Sequence, residues 1–281
     1  MEIYGMNYTA ASWGIKTQTH KKGTSKMVRN LDIKKLNIGL FIPCYIDQFY
    51  PQVGIATLEL LQKIGLNVVY PMKQTCCGQP LANSGAEKEA IPVYQNFVRN
   101  FSEFDYIVSP SGSCVYHVRI HYDILEQADE VKKVRQNTYE LCEFIIDVLG
   151  IDDLKIEYPH KVGIHQSCHG LRGLKLGRSS ELVANPYSKV RKLLEKAKGI
   201  EIIRLNREDE CCGFGGTFSV FEPEVSVKMG KDRVRDHQEN DAEIITATDM
   251  SCLMHLEGII RRQKWDIKVV HIAEILNSNN L

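Results

Sequence analysis

One order of cysteines occurs twice in this chain, and no other feature narrows its fold as much. FIPCYID, KQTCCGQP and SPSGSCVYH carry a single Cys, a Cys-Cys-Gly and a Ser-Cys-x-x-His; IHQSCHG, EDECCGFGG and ATDMSCLMH carry the same three in the same order. Cys168 lies 124 residues after Cys44, Cys211 lies 135 after Cys76, and Cys252 lies 138 after Cys114. The second copy thus holds 11 extra residues before its pair and 3 more after it, insertions that loops absorb at small entropic cost. The likeness continues in ELCEFIIDVLG against VHIAEILNSNN, where Cys142 stands opposite Ala273 as the odd one out. Such an internal repeat predicts two similar units.

Between the cysteines each copy alternates short apolar runs with amphipathic segments. NIGLFIP and LNVVYP read as buried strands on either side of a helix, GIATLELLQKIG, closed by Gly65. AEKEAIPVYQNFVRNF reads as a helix interrupted near Pro92, YIVSPSGS as a strand and CVYHVRIHYDILEQ as a helix. KVGIHQS, PYSKVRKLLEKAKG, IEIIRLN, VSVKMGKDRVRDHQE, AEIITATD and SCLMHLEGIIRRQ repeat that order. The alternation predicts an α/β fold of two duplicated parallel-sheet, Rossmann-like units, residues 37–155 and 156–281, behind a flexible Thr- and Lys-rich extension over residues 1–36. Cys44 and Cys168 then follow the first strand of their unit, Cys76, Cys77, Cys211 and Cys212 the second, and Cys114 and Cys252 the third. All eight are expected beyond the carboxyl ends of strands, where open α/β sheets bind ligands, so that four thiols per unit converge.

Adjacent thiols are poor partners for each other. A disulfide prefers Cα atoms roughly 5.5 to 6 Å apart, whereas neighbouring Cα atoms lie about 3.8 Å apart. An odd total of nine cysteines without an export signal points instead to thiols kept reduced, in the cytoplasm, for metal or redox work. No apolar run approaches the roughly 20 residues that span a bilayer. Lys plus Arg equals Asp plus Glu at 35 each, so no bulk field draws the chain to nucleic acid. Helix starts near Cys114 and Cys252 favour thiolates, the form that binds metal. Zinc and an iron–sulfur cluster are both candidates. Structural zinc usually takes paired C-x-x-C knuckles, while a cluster is wide enough for adjacent cysteines to hold different irons; the spacing favours the cluster. Gly78 and Gly213 would let the backbone turn tightly beside it.

These strings resemble the cysteine-rich CCG domain family, which includes the heterodisulfide reductase B subunit and the iron–sulfur subunits of glycolate oxidase and anaerobic glycerol-3-phosphate dehydrogenase. CCGQPLANSG, SPSGSC, CCGFGGTFSV, DMSCL and HIAEIL are most similar to its lactate utilisation branch, and the likeness covers residues 37–281. The resemblance implies a cytoplasmic iron–sulfur electron-transfer subunit, working beside companions resembling lactate utilisation proteins B and C in oxidising L-lactate, a small 2-hydroxy acid, to pyruvate. It implies 4Fe-4S ligation by Cys44, Cys76, Cys77 and Cys114, and by Cys168, Cys211, Cys212 and Cys252. The alternatives are the iron–sulfur subunit of a glycolate or glycerol-3-phosphate dehydrogenase, or a zinc-binding or thiol redox module without its own catalysis. Heterodisulfide reductase B subunits end each motif in C-x-x-C; here His117 and His255 stand in that last position, which counts against a five-thiolate site.

His117 and His255, each three residues after a Cys, read as capping or supporting residues before ligands, since four thiolates complete a cluster. His165 and His169 flank Cys168, and either could donate to sulfur. GFGG after Cys212 lacks the rest of a dinucleotide fingerprint and reads as a tight turn. RGLKLGR and RRQK could meet a carboxylate or an acidic partner, but such runs are usually solvated surface. No paired carboxylates or Ser-His-Asp pattern supports hydrolysis.

Overall fold

The computed structural model describes residues 33–278, so the extension expected over residues 1–36 lies outside the described residues up to residue 32. The first half runs β1 (Asn37–Leu40), α1 (Cys44–Phe49), α2 (Pro51–Lys63), β2 (Asn67–Val69), α3 (Gln79–Asn83), α4 (Ile91–Phe101), β3 (Tyr106–Ser109), α5 (Gly112–His121), α6 (Asp129–Asn137), β4 (Thr138–Glu140) and α7 (Leu141–Glu143), which continues into a π-helical turn (Phe144–Val148). The second half runs β5 (Lys161–Ile164), a π-helical turn (His169–Gly173), α8 (Lys189–Leu194), β6 (Glu201–Ile203), α9 (Phe218–Phe221), α10 (Pro223–Glu239), β7 (Ile244–Thr246), α11 (Met250–Gln263), β8 (Lys268–Val269) and α12 (Ile272–Leu276).

The expected α/β fold is what the chain adopts. Each half contains a four-stranded, all-parallel sheet, ordered β2-β1-β3-β4 in one and β6-β5-β7-β8 in the other. Ile38 sits opposite Val68 and Tyr106, and Val162 opposite Ile202 and Ile244. The two inner strands of each sheet are covered on both faces and are therefore mostly apolar; Ile38, Leu40, Ile107, Val108, Val162, Ile164, Ile244 and Ile245 are buried. Burying one such side chain contributes about 1.5–3 kcal/mol. Pro92 does not interrupt a longer helix. It lies in the first turn of α4, where its missing N–H costs nothing. Gly65 ends α2 in a left-handed conformation, φ +96°.

The halves share one apolar core, in which Ile38 and Leu61 of the first join Val162 and Leu276 of the second. Their last helices are exchanged. α12, the end of the second half, packs on α2 of the first, and α7, the end of the first, packs on α8 of the second. Polar contacts tie both seams: Lys63 Nζ donates to Asn277 Oδ1 at 2.9 Å, Asn277 Nδ2 to Glu59 Oε2 at 2.7 Å, and Lys189 Nζ to Asp147 Oδ2 at 2.5 Å.

Glu140, at the start of α7, is fully buried, and its carboxylate accepts the Glu143 N–H at 3.1 Å. Burial penalises its charge and raises its pKa from 4.5 to about 8. The fold therefore favours the protonated form: its contribution is complete below the unfolded value near 4.5 and is lost as pH rises through about 8. Glu140→Gln keeps an oxygen for the Glu143 N–H without the charge. Thermal unfolding at pH 6 and pH 9 should show the variant gaining on the parent at the higher pH. An unchanged difference between the two would rule out a titrating Glu140.

Candidate metal centre

Cys44 is the first residue of α1, Cys76 and Cys77 lie between β2 and α3, and Cys114 is in the first turn of α5. Cys168 precedes the π-helical turn after β5, Cys211 and Cys212 lie between β6 and α9, and Cys252 is in the first turn of α11. All eight line one cavity of about 490 Å³. In the first half the Cys44 and Cys76 sulfurs are 3.6 Å apart, and those of Cys77 and Cys114 are 3.3 Å apart. None of the nine cysteines is in a disulfide. Cys142 is wholly buried in the shared apolar core, away from this cavity.

The two Cys-Cys-Gly segments have one backbone geometry. Gly78 has φ +87° and donates its N–H to Cys76 sulfur at 3.4 Å; Gly213 has φ +88° and donates to Cys211 sulfur at 3.3 Å. Only glycine adopts this conformation without strain, and only glycine fits. A Cβ on Gly78 would lie 2.5 Å from the Tyr94 ring, and one on Gly213 would lie 2.6 Å from the Ser226 carbonyl oxygen.

Thiol donation divides the charge unequally. Cys76 and Cys211 are held far below the ordinary thiol range, because Cys44 and Cys168 respectively donate to them, then Cys77 and Cys212, with the glycine N–H adding to the effect. Cys44 and Cys168 are pushed up by the same bonds and by burial. Cys77 is raised by its bond to Cys114, and Cys212 by its bonds to Cys211 and Cys252. The residues that hold thiolate charge down are therefore the first of each pair. Sulfurs this close cannot all ionise in a partly buried cavity without a cation to offset their repulsion. An all-thiol donor set around glycine N–H groups thus fits a metal centre, and a metal ligated there would hold the thiols as thiolates.

Where α5 and α11 begin, the halves meet. Ser111 caps α5 by accepting from Cys114 N at 3.4 Å, and Asp249 caps α11 by accepting from Ser251 N at 3.3 Å. The two caps form an antiparallel bridge, and Asp249 Oδ2 accepts the Ser113 N–H at 2.7 Å. This contact joins the helices that carry Cys114 and Cys252.

The histidines sort differently from the cysteines. His117 Nε2 hydrogen-bonds the Tyr94 hydroxyl at 3.0 Å, and His255 Nε2 donates to the Ser226 carbonyl at 3.3 Å, so both are engaged away from sulfur. His169 is exposed at the cavity. His165 is buried; one of its ring nitrogens and the sulfurs of Cys212 and Cys252 lie within 4.8 Å of one another. Sequence reasoning overlooked Tyr94, which covers Gly78, and Arg233 and His237, buried in the second half. RGLKLGR and RRQK supply no lining residue, and among the described residues no Lys or Arg lines the cavity, although the Arg172 charge acts on Cys168.

Two α/β halves closing on a single thiol-lined cavity define the class as a duplicated cysteine-rich protein. The CCG cysteine-rich domain matches residues 38–119 and 162–257, once per half. Lactate utilization protein A of an Exiguobacterium species is 41% identical over 248 residues, covering 86% of this chain and 97% of that protein. Lactate utilization protein A of Bacillus subtilis is 38% identical over 247 residues, covering 86% and 100%. The chain belongs to the cysteine-rich CCG domain family and, within it, to the lactate utilization protein A family. Glutamate racemase from Francisella tularensis overlays at a TM-score of 0.33 and 11% identity, over 87% of this chain and 79% of that one. A likeness that loose carries no argument. Among the described residues, no helix is long and apolar enough to cross a membrane.

Proposed function

We propose that this chain is the cytoplasmic iron–sulfur electron-transfer subunit of a complex that oxidises L-lactate to pyruvate, beside companions resembling lactate utilisation proteins B and C. The observation that carries this reading is the cavity lined by eight thiols, four from each half. Four thiolates from each half, Cys44, Cys76, Cys77 and Cys114, and Cys168, Cys211, Cys212 and Cys252, would hold two 4Fe-4S centres. Bound there, the centres supply one-electron steps at potentials set by nearby charge and hydrogen bonds. The chain's own part is to orient sulfur through the Gly78 and Gly213 N–H groups and to keep Cys77 and Cys212 from water. A lactate carboxylate calls for a fixed cation; that no Lys or Arg is among the described residues lining the cavity supports a lactate site on a companion. The names of the relatives support lactate over glycolate or glycerol 3-phosphate.

The test is reconstitution with both companions under anaerobic conditions. Lactate-dependent reduction of an acceptor should fall to background with Cys211→Ser, while glycolate and glycerol 3-phosphate support little turnover in the parent. Full activity in that variant would remove the second-half thiols from the electron path.

One observation favours a second reading. Tetrahedral zinc with Zn–S near 2.3 Å sets sulfurs about 3.8 Å apart, close to the 3.6 Å between Cys44 and Cys76. Metal and sulfide analysis with the visible spectrum separates the two: a colourless protein with stoichiometric zinc would replace the iron–sulfur assignment.

A further inference from the structure

The halves differ beneath their thiols. In the first, Phe41 donates its backbone N–H to Val108 O at 2.9 Å; in the second, His165 donates to Thr246 O at 2.7 Å. His165 lies 124 residues after Phe41 and Thr246 lies 138 after Val108, the offsets that also relate Cys168 to Cys44 and Cys252 to Cys114. His165 therefore occupies the place of Phe41. The exchange extends to the helix behind. Phe104 and, next to it, Phe101 of α4 stand over the strand glycine Gly39, and His237 of α10 stands over the matching Gly163; one turn before Phe101 and His237 are Phe97 and Arg233. Phe41 meets Phe97 and Phe101 edge-on, with centroids 4.8 and 5.8 Å apart. An aromatic trio in one half is replaced by two histidines and an arginine in the other, and all six are buried.

Both ring nitrogens of His165 are without a partner, although the residue is only 2% exposed. A buried imidazole left so is costly unless a group bound at the site meets it, and Cys212 and Cys252 are the thiols in reach. Arg233 lies behind it. Its guanidinium pairs with Asp236 at 3.1 Å, but that carboxylate also accepts the N–H groups of Asn206 and Arg207 at 3.0 and 3.1 Å. The Arg233 Nε has no partner, and its charge acts on His165 and on Cys212.

From this juxtaposition we propose that His165 donates a ring N–H to the Cys212 or Cys252 sulfur of a second-half centre, making that centre the more easily reduced of two. The proposal rests on the iron–sulfur reading above. Reduction adds negative charge to the centre, which an N–H donor and a buried cation stabilise and which phenyl rings do not. An electron then passes from the first-half centre, which is oxidised, to the second-half centre, which is reduced, with no bond made or broken.

Anaerobic redox titrations followed by optical and paramagnetic resonance spectra test this. Cys76→Ser isolates the second-half centre and Cys211→Ser the first. The centre remaining in Cys76→Ser should reduce at the higher potential. Adding His165→Phe, the first half's own residue, should lower that potential with iron content unchanged, and His165→Gln, which keeps an N–H, should hold it near the parent value. Pulsed resonance should show weak nitrogen coupling that His165→Phe removes. The reverse order of potentials, or an unmoved potential in His165→Phe, overturns the proposal, as does nitrogen coupling of the strength of a direct ligand. If His165→Phe loses its iron, His165→Leu, which also lacks a ring N–H, is read in its place: a lowered potential supports the proposal and an unmoved one overturns it. Absence of iron from the parent protein would sink the iron–sulfur reading itself, an outcome distinct from any of these.

Discussion

Cys76→Ser should lose about half of the bound iron and Cys211→Ser about half, since four thiolates complete one ordinary cluster and each half supplies four. These two thiols are the informative ones because each is the sulfur that its half holds ionised: a neighbouring thiol and a glycine N–H both point to it. Serine preserves size and removes the soft donor, so the remaining three thiols of that half hold a cluster poorly. The shared cavity makes the result decisive. Complete loss of iron from either variant would mean one centre held jointly by the halves, and the duplicated-site reading would be refuted. Iron and acid-labile sulfide, counted per chain on protein prepared without oxygen, give the answer.

Gly213→Ala should destabilise the protein by about 3 kcal/mol and empty the second-half site. Of this, about 1–2 kcal/mol comes from holding an alanine in a left-handed conformation, and the remainder from contact. The new Cβ would lie 2.6 Å from the Ser226 oxygen and 2.7 Å from the Met229 Cβ, both on α10, whose backbone cannot yield as a flexible side chain would. Gly65→Ala is the control. It has φ +96° and nothing within 4 Å of its Cβ, so it should show the conformational part alone. Denaturant unfolding of the two variants, beside metal analysis, separates strain from crowding; equal losses would mean that α10 moves aside freely.

Much of this architecture was legible because its signals are repeated. The paired order of cysteines foretold a duplication with four thiols converging in each unit, the alternation of apolar and amphipathic segments foretold the parallel sheets, and the glycines after each pair foretold the tight turns; that all eight thiols line one cavity was not read. The fourth strand of each sheet escaped notice, since Thr138–Glu140 and Lys268–Val269 are too short to show a period. The basis for expecting charged thiols also shifted: the helix starts near Cys114 and Cys252 drew attention, but Cys76 and Cys211 are lowered by neighbouring thiols and glycine N–H groups. Least visible were Arg233 and His237. VSVKMGKDRVRDHQE reads as an amphipathic surface helix, and nothing in it marks those two as fully buried. The signal lay in the other copy, where Phe97 and Phe101 keep the same spacing of four on the helix that follows the first pair.

The exchanged last helices carry a consequence of their own. With α12 seated on α2 and α7 on α8, each half completes the other, as protomers do across an isologous two-fold interface. The chain is in effect a symmetric dimer made permanent by a peptide link between α7 and β5. Because one polypeptide encodes both protomers, the two copies of a position are free to diverge, which a true homodimer forbids. A phenylalanine can become a histidine on one side alone, and a structure that would otherwise treat its two ends alike acquires a direction.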